Sequence, residues 1–152
     1  MARAPFQVLV YPYRRTARAE FEFALFQRAD GGWWQGIAGG GEDGEMPLDA
    51  ARREALEEAR LPPDRPVVEL DTVQWVPVTE FRDSHLWGEE LYVIPQYSFG
   101  ILAQDAEIAV SCEHTEVRWV SYEEAHRLLR YDGDRTALWE LRKRLRGHGP
   151  RG

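Results

Sequence analysis

The sequence has little of what a secreted or membrane protein requires. It contains a single cysteine, Cys112, so the chain cannot close a disulfide on itself, and the lack of disulfides suits a reducing compartment. No run of apolar residues approaches the roughly 20 that a membrane-spanning helix needs, and Pro12 interrupts the apolar stretch near the start. We therefore expect a cytoplasmic protein that has no membrane partner.

Positive charge is also scarce. The 19 lysine and arginine residues are outnumbered by 26 aspartates and glutamates, which gives a formal net charge of −7. A protein that binds duplex nucleic acid needs a broad positive surface, so the charge balance disfavours this class and favours a small-molecule partner. The acidic excess serves either solubility or the binding of a metal ion, and the positions of the carboxylates must separate the two.

The composition supplies enough apolar surface for one folded domain. Hydrophobic residues make up 43% of the chain and aromatic residues 12%. Because 152 residues correspond to about one domain of typical size, we expect a single domain over residues 1–152, with residues 146–152 as a frayed tail. The aromatic content is also consistent with a homodimer.

Segments with strand character alternate with segments of helical character. The segment 36–44 holds five glycines and is predicted to be a loop. The pattern as a whole predicts an α/β sandwich, in which helices cover both faces of a mixed central sheet. Strands are predicted at 6–10, 21–26, 67–78, 91–103 and 117–120. Helices are predicted at 48–60, 122–129 and 135–145.

The first predicted helix carries three glutamates on one side. Glu54 and Glu58 lie four residues apart and Glu57 lies beside them, so their carboxylates share one patch of the helix surface. Like charges at this spacing destabilise a helix by a few tenths of a kcal/mol per pair, whereas a hard divalent cation binds oxygen ligands. The pattern therefore predicts a magnesium site in which manganese can substitute. The alternative is a solvated helix face on which nearby arginines pair with the glutamates.

The glutamates belong to a longer motif. The spacing G-x5-E-x7-R-E-U-x-E-E-x-G-U, where U is aliphatic, runs from Gly39 to Leu61 and resembles the Nudix box, the signature of the Nudix hydrolase superfamily. The resemblance implies the Nudix α/β/α sandwich with its loop-helix motif, and a hydrolase that acts on phosphoanhydrides. The motif's charged positions are filled by Glu45, Arg53, Glu54, Glu57 and Glu58.

The motif departs from the family pattern at three positions. Ala55 is a minimal aliphatic residue, and Met46 replaces the serine or aspartate expected before the helix. Arg60 stands where the family has glycine. Because a left-handed helix end costs a residue with a side chain about 1 kcal/mol or more, we expect this helix to end in a different way.

Segments outside the motif resemble one branch of the superfamily, which contains dihydroneopterin triphosphate diphosphatase and proteins labelled dATP pyrophosphohydrolase. This resemblance implies dihydroneopterin triphosphate as the leading substrate, with release of diphosphate. The alternatives are a dATP or oxidised deoxynucleoside triphosphate pyrophosphohydrolase and a non-catalytic module that binds a nucleotide or a protein. The segments are Gln27-Arg28, Trp34-Gln35, Glu113-His114, 118–120 and 135–139.

The resemblance also implies roles for individual residues. Arg53, Glu54 and Glu57 are expected to act in catalysis, and Gly39 and Glu45 to support the motif. The acceptor of the proton from the attacking water is Glu54 or Glu57, with the loop residues Glu113 and Glu116 as alternatives. The expected metal ligands are Glu54, Glu57, Glu58 and Glu113. The expected substrate contacts are Arg28, Ala38 and Gly39.

The ring of the substrate must be selected elsewhere in the chain. A flat heterocycle can stack on an aromatic side chain for roughly 1–3 kcal/mol, and four rings flank the segment 79–90, although most of them are expected in the core. A carboxylate in this segment, Glu80, Asp83 or Glu90, can hold the guanidine-like edge of a pterin with two hydrogen bonds. The four rings are Trp75, Phe81, Trp87 and Tyr92.

Overall fold

The computed structural model describes residues 3–18, 20–110 and 114–147, and the strands in these ranges join into one mixed sheet. The strands are β1 Arg3–Arg15, β2 Phe21–Arg28, β3 Trp34–Gln35, β4 Ile37–Glu42, β5 Val67–Pro77, β6 Val93–Leu102 and β7 His114–Val120. The helices are α1 Pro47–Ala59, α2 Tyr122–Leu128 and α3 Asp132–Leu145, and two short 3-10 turns lie at Val78–Glu80 and Arg82–Trp87.

The long strand β1 organises the sheet. It runs parallel to β6 and antiparallel to both β2 and β4, which pair with different parts of it. The order β3-β2-β1-β6-β5 forms the main path, while β4 adds to β1 and β7 adds to β2. The predicted mixed sheet is therefore confirmed.

Alternate residues of β1 face opposite sides of the sheet, as strand geometry requires. Val8 and Val10 pack with the alanines of α1, whereas Leu9 and Tyr11 pack with α2 and α3. All four side chains are buried. One helix thus covers the first face and two helices cover the second, which confirms the predicted sandwich.

The prediction of a loop at 36–44 is wrong for most of its length. Residues Ile37–Glu42 form β4, in which Leu9 pairs with Ala38 and Val8 with Gly39. The glycines here reflect close packing: a Cβ atom on Gly41 would lie 2.0 Å from the ring of Phe6. Pairing with a central strand outweighs the weak strand propensity of glycine.

The expectation of a different end for α1 is also wrong. Arg60 adopts the left-handed conformation with φ 59° and ψ 32°, and its N–H donates to the Leu56 carbonyl at 2.9 Å. The next residue, Leu61, is fully buried. The burial of this side chain offsets a strain of about 1 kcal/mol, so an arginine can stand where glycine is usual.

Other helix ends agree with the sequence or extend it. Met46 provides no side-chain cap for α1, as expected, whereas Ser121 caps α2 by accepting the Glu124 N–H at 3.1 Å. α3 begins at Asp132, three residues before the predicted start at 135. None of the described helices combines the length and apolar character needed to cross a bilayer. The expected cytoplasmic location and homodimer stay predictions.

Candidate active site

A broad cleft of about 1050 Å³ opens where the carboxylates of α1 meet the sheet. Its floor consists of residues from β1, β4, β5 and β6, and the two 3-10 turns supply part of its wall. Glu54, Glu57 and Glu58 line it at the α1 end, and the helix α3 contributes Asp134. The cleft therefore connects the predicted metal ligands with a region large enough for a nucleotide-sized molecule.

Arg53 is fixed by Glu45. Its Nε and Nη2 atoms donate to the two oxygens of the Glu45 carboxylate at 2.9 and 3.0 Å, and Nη2 also donates to the Gly40 carbonyl at 2.8 Å. Glu45 in turn accepts the backbone N–H of Glu42 at 2.9 Å. The hydrogen bond from Arg53 lowers the pKa of Glu45. This pair ties the middle of α1, and the turn before the helix, to β4.

The same guanidinium reaches two of the predicted ligands. Arg53 Nη1 donates to Glu54 Oε1 at 3.0 Å and to Glu57 Oε2 at 3.1 Å. One arginine thus orients both carboxylates, and the i,i+4 spacing places Glu57 within its reach.

Glu54 is the most deeply placed of the three carboxylates, with 7% of its surface exposed. Desolvation raises its pKa to about 7, although Arg53 opposes this shift, and the charges of Glu57 and Glu58 add to it. The side chain lies against β4, because a Cβ atom on Gly39 would be 2.2 Å from the Glu54 carboxyl carbon. Gly39 therefore makes room for a carboxylate whose charge is poorly compensated.

The donors in this cluster fit a hard divalent cation. They are carboxylate oxygens, and a cation would stabilise the ionised form of the desolvated Glu54. Within the described residues no three acidic, histidine or cysteine side chains already converge as a complete metal site. Glu113, the fourth predicted ligand, and Cys112 lie outside the described residues. Next to them, His114 is buried with its Nδ1 atom 3.6 Å from Glu58 Oε2.

The predicted substrate contacts Arg28, Ala38 and Gly39 all line the cleft. Arg28 is held by both oxygens of Asp30, at 3.1 and 2.7 Å. Glu116, one of the alternative proton acceptors, does not line the cleft.

The segment 79–90 contributes less than expected. Glu80, Asp83 and Phe81 line the cleft, as does Trp75 just before the segment, whereas Glu90 does not. The expectation that most of the four rings lie in the core is wrong, because Trp75 and Tyr92 are exposed and the other two are half-buried. Trp75 is exposed because β5 stands at the end of the main strand order, whereas Phe81 and Trp87 are half-buried because they contact each other beside the turns.

Sequence reasoning missed several residues in the cleft. Arg3 lies over β4, where a Cβ atom on Gly40 would be 2.2 Å from its Nε atom, and its guanidinium is 5.1 Å from the centre of the Phe81 ring. It also donates to Gln7. The other missed residues are Gln7, Gln74, Gln96 and Asp134. A glutamine within a mostly apolar strand is a signal that could have indicated Gln7 and Gln96.

A family model and a solved structure point to the same family. Residues 6–140 match the family model of the NUDIX domain. A crystal structure assigned as a NUDIX hydrolase from Listeria monocytogenes is 41% identical, with a TM-score of 0.85 over 94% of this chain and 95% of that one.

More distant structures share the fold. The E. coli dihydroneopterin triphosphate pyrophosphohydrolase is 20% identical, with a TM-score of 0.74 over 95% of this chain and 99% of that one. A C. elegans Ap4A hydrolase is 21% identical, with a TM-score of 0.69 and the same coverage of 95% and 99%. An octanoyltransferase of Myxococcus xanthus is 32% identical over 111 residues, or 71% of this chain. The chain spans 28% of the length of that curated relative.

Proposed function

Because the chain belongs to the Nudix hydrolase family, we propose that it is a magnesium-dependent hydrolase of a phosphoanhydride bond in a pterin or nucleoside triphosphate. The leading substrate is dihydroneopterin triphosphate, with release of diphosphate. The observation that carries this proposal is the desolvated carboxylate of Glu54, which stands beside Glu57 and Glu58 at one end of a nucleotide-sized cleft.

Nudix hydrolases generally use divalent metal ions, and the oxygen donors of this cluster fit such an ion. We assign Glu54, Glu57, Glu58 and Glu113 to hold magnesium, for which manganese can substitute. When bound, the ion neutralises phosphate oxygens and lowers the pKa of a bound water. A non-catalytic binding module is disfavoured, because mutually repelling carboxylates around a buried one destabilise the fold without serving a purpose.

The remaining residues of the cluster position the reacting groups. Arg53 orients Glu54 and Glu57, and its own bond to Glu45 prevents it from swinging into the cleft. Glu54 and Glu57 both line the cleft, so either can accept the proton of the attacking water. Gly39 and the neighbouring Gly40 allow phosphate to approach the backbone of β4 closely.

The choice of a pterin triphosphate as the leading substrate is supported by the branch resemblance and by the cleft. The E. coli dihydroneopterin triphosphate pyrophosphohydrolase shares the fold at low identity, as does the C. elegans Ap4A hydrolase, so fold alone does not select the substrate. Exposed aromatic side chains at the cleft, Trp75 among them, offer stacking surfaces for a flat ring.

Hydrolysis of a substrate panel with magnesium tests the proposal. We expect the ratio kcat/KM to be at least tenfold higher for dihydroneopterin triphosphate than for dATP or Ap4A, which corresponds to about 1.4 kcal/mol. Glu58→Gln should lower turnover at least a hundredfold. The matched control is Glu123→Gln, an exposed glutamate of α2, which should retain wild-type turnover. Equal turnover by the two variants would refute the assignment, and a tenfold preference for dATP would replace the leading substrate.

A further inference from the structure

Three glutamines form a row across the floor of the cleft. Gln7 of β1 pairs with Gln96 of β6, and Gln96 pairs with Gln74 of β5. Paired residues of adjacent strands present their side chains on the same face, and all three line the cleft. On the other side of β1, Gln7 pairs with Gly40 of β4. The glutamine row therefore runs from β5 to the strand that lies beside the carboxylate cluster.

The row ends at a buried carboxylate. Asp134 in the first turn of α3 is 6% exposed, and its Oδ1 atom accepts a hydrogen bond from Gln74 Nε2 at 2.9 Å. Gly133 permits this contact, since a Cβ atom there would lie 2.2 Å from Gln74 Oε1. The Asp134 carbonyl also accepts the Tyr11 hydroxyl at 3.0 Å. Both the backbone and one oxygen of Asp134 are therefore fixed.

Two polar groups in this corner form no hydrogen bond within the part of the chain that the structure describes, although the charge of Arg135 acts on Asp134. The Gln96 side chain is 9% exposed, lines the cleft and forms no hydrogen bond with any residue that the structure describes. The second oxygen of Asp134, Oδ2, likewise accepts none from the described ranges. Neither group is among the unpaired side-chain atoms that the described structure seals from solvent, so both can be reached from the cleft. Such groups in a cleft indicate a ligand that completes them.

We propose that Asp134 and Gln96 bind the hydrogen-bonding edge of a 2-amino-4-oxo heterocycle, the edge that guanine and pterin share. The carboxylate of Asp134 accepts from the ring N–H and the 2-amino group, while the amide of Gln96 donates to the 4-oxo oxygen. Adenine presents one donor next to an acceptor in place of two adjacent donors. It therefore cannot donate two hydrogen bonds to the Asp134 carboxylate. This inference rests on the proposed function, since it names the substrate class for that cleft.

The length of the row agrees with this assignment. From Gln74 through Gln96 and Gln7 to Gly40 there are three strand spacings, or roughly 14 Å. The Gly40 carbonyl is bonded to Arg53. A heterocycle at Asp134 therefore directs an extended triphosphate along the floor towards the carboxylate cluster.

Binding of compounds without phosphate tests the inference apart from catalysis. Quenching of tryptophan fluorescence would be titrated with guanosine, inosine, adenosine and neopterin. We expect guanosine and neopterin to bind at least tenfold more tightly than adenosine, and inosine, which lacks the 2-amino group, to lose most of that advantage. Comparison of guanosine with neopterin identifies which of the two ring systems the cleft prefers. Equal affinity for guanosine and adenosine would overturn the proposal.

Substitutions at Asp134 and Gln96 test whether these two residues cause the preference for guanosine. Asp134→Asn should reduce the preference of guanosine over inosine at least fivefold, and Gln96→Leu should weaken guanosine and neopterin alike at least fivefold. The matched control is Asp132→Asn, in the same turn of α3 but fully exposed, which should keep the wild-type preferences. If Asp134→Asn fails to fold, Gln96→Leu decides, and unchanged binding in the folded variants overturns the assignment. If the wild-type protein hydrolysed none of the substrates but still preferred guanosine over adenosine, the proposed reaction would be refuted. The assignment of Asp134 and Gln96 to base binding would remain.

Discussion

Replacement of Glu54 by glutamine should stabilise the metal-free protein while it abolishes activity. The pKa of Glu54 is raised from 4.5 to about 7. Since each tenfold change in proton affinity corresponds to about 1.36 kcal/mol, ionising this group costs about 3 kcal/mol more in the folded protein than in the unfolded chain. Glutamine removes this cost but weakens the bond from Arg53, so we expect a net gain of about 1–2 kcal/mol at pH 8.

The gain should depend on pH in a defined direction. A carboxyl group with a raised pKa stabilises the fold fully below its unfolded pKa, and this contribution is lost as the pH rises through about 7. Glu54→Gln should therefore have nearly the wild-type stability at pH 5 and exceed it at pH 8. Thermal unfolding in a metal chelator measures this, and we expect Tm to rise by about 2–8 °C at pH 8.

Glu57→Gln is the matched control, because this glutamate of the same helix also accepts from Arg53 but is exposed. Its effect on stability should stay below about 1 kcal/mol at either pH. Added magnesium should stabilise wild type more than Glu54→Gln. If Glu54→Gln were less stable than wild type at pH 8, Arg53 would fully compensate the buried charge of Glu54, and the reasoning would be refuted.

Three further substitutions probe other contacts. Gly39→Ala introduces a Cβ atom 2.2 Å from the Glu54 carboxyl carbon, so kcat/KM should fall at least tenfold in a steady-state assay while circular dichroism shows an intact fold. Glu140 accepts two backbone N–H groups of β5 at 2.6 and 2.9 Å. Burial raises the pKa of Glu140, but these bonds, together with those from the Thr72 hydroxyl and Arg144, outweigh burial and lower the pKa. Glu140→Gln should therefore cost about 1–3 kcal/mol in urea unfolding at pH 7. The difference from wild type should shrink once the pH falls below about 4 and vanish below the lowered pKa of the folded protein. Gly133→Ala displaces Gln74 from Asp134, so guanosine affinity should drop at least threefold with Tm unchanged or higher.

Local patterns were sufficient for the elements whose signals lie within a few residues. The apolar runs at 6–10 and 21–26 and the glutamate spacing of α1 predict strands and a helix that the structure has. The contact of Arg53 with Glu57 follows from the i,i+4 spacing of a helix, whereas its contact with the adjacent Glu54 depends on how the side chains are held against β4.

Features that depend on distant partners could not be predicted in this way. The glycines of β4 indicate a loop until β1 pairs with them, and Arg60 indicates a different helix end until the burial of Leu61 is known. Asp134 and Gln96 are about 40 positions apart in the sequence and line the same cleft only because α3 packs against β5 and β6. The sequence alone favoured carboxylates of the segment 79–90 for the same role.

Titration with Mn²⁺, followed by the electron paramagnetic resonance signal of the unbound ion, tests the central claim most directly. We predict that wild type binds the ion, that Glu54→Gln and Glu58→Gln weaken binding at least tenfold, and that Glu123→Gln binds as wild type does. If the two α1 variants bound manganese as tightly as wild type, or if the wild-type protein hydrolysed its substrate equally well in a chelator, the carboxylate cluster would not be the metal site of this enzyme.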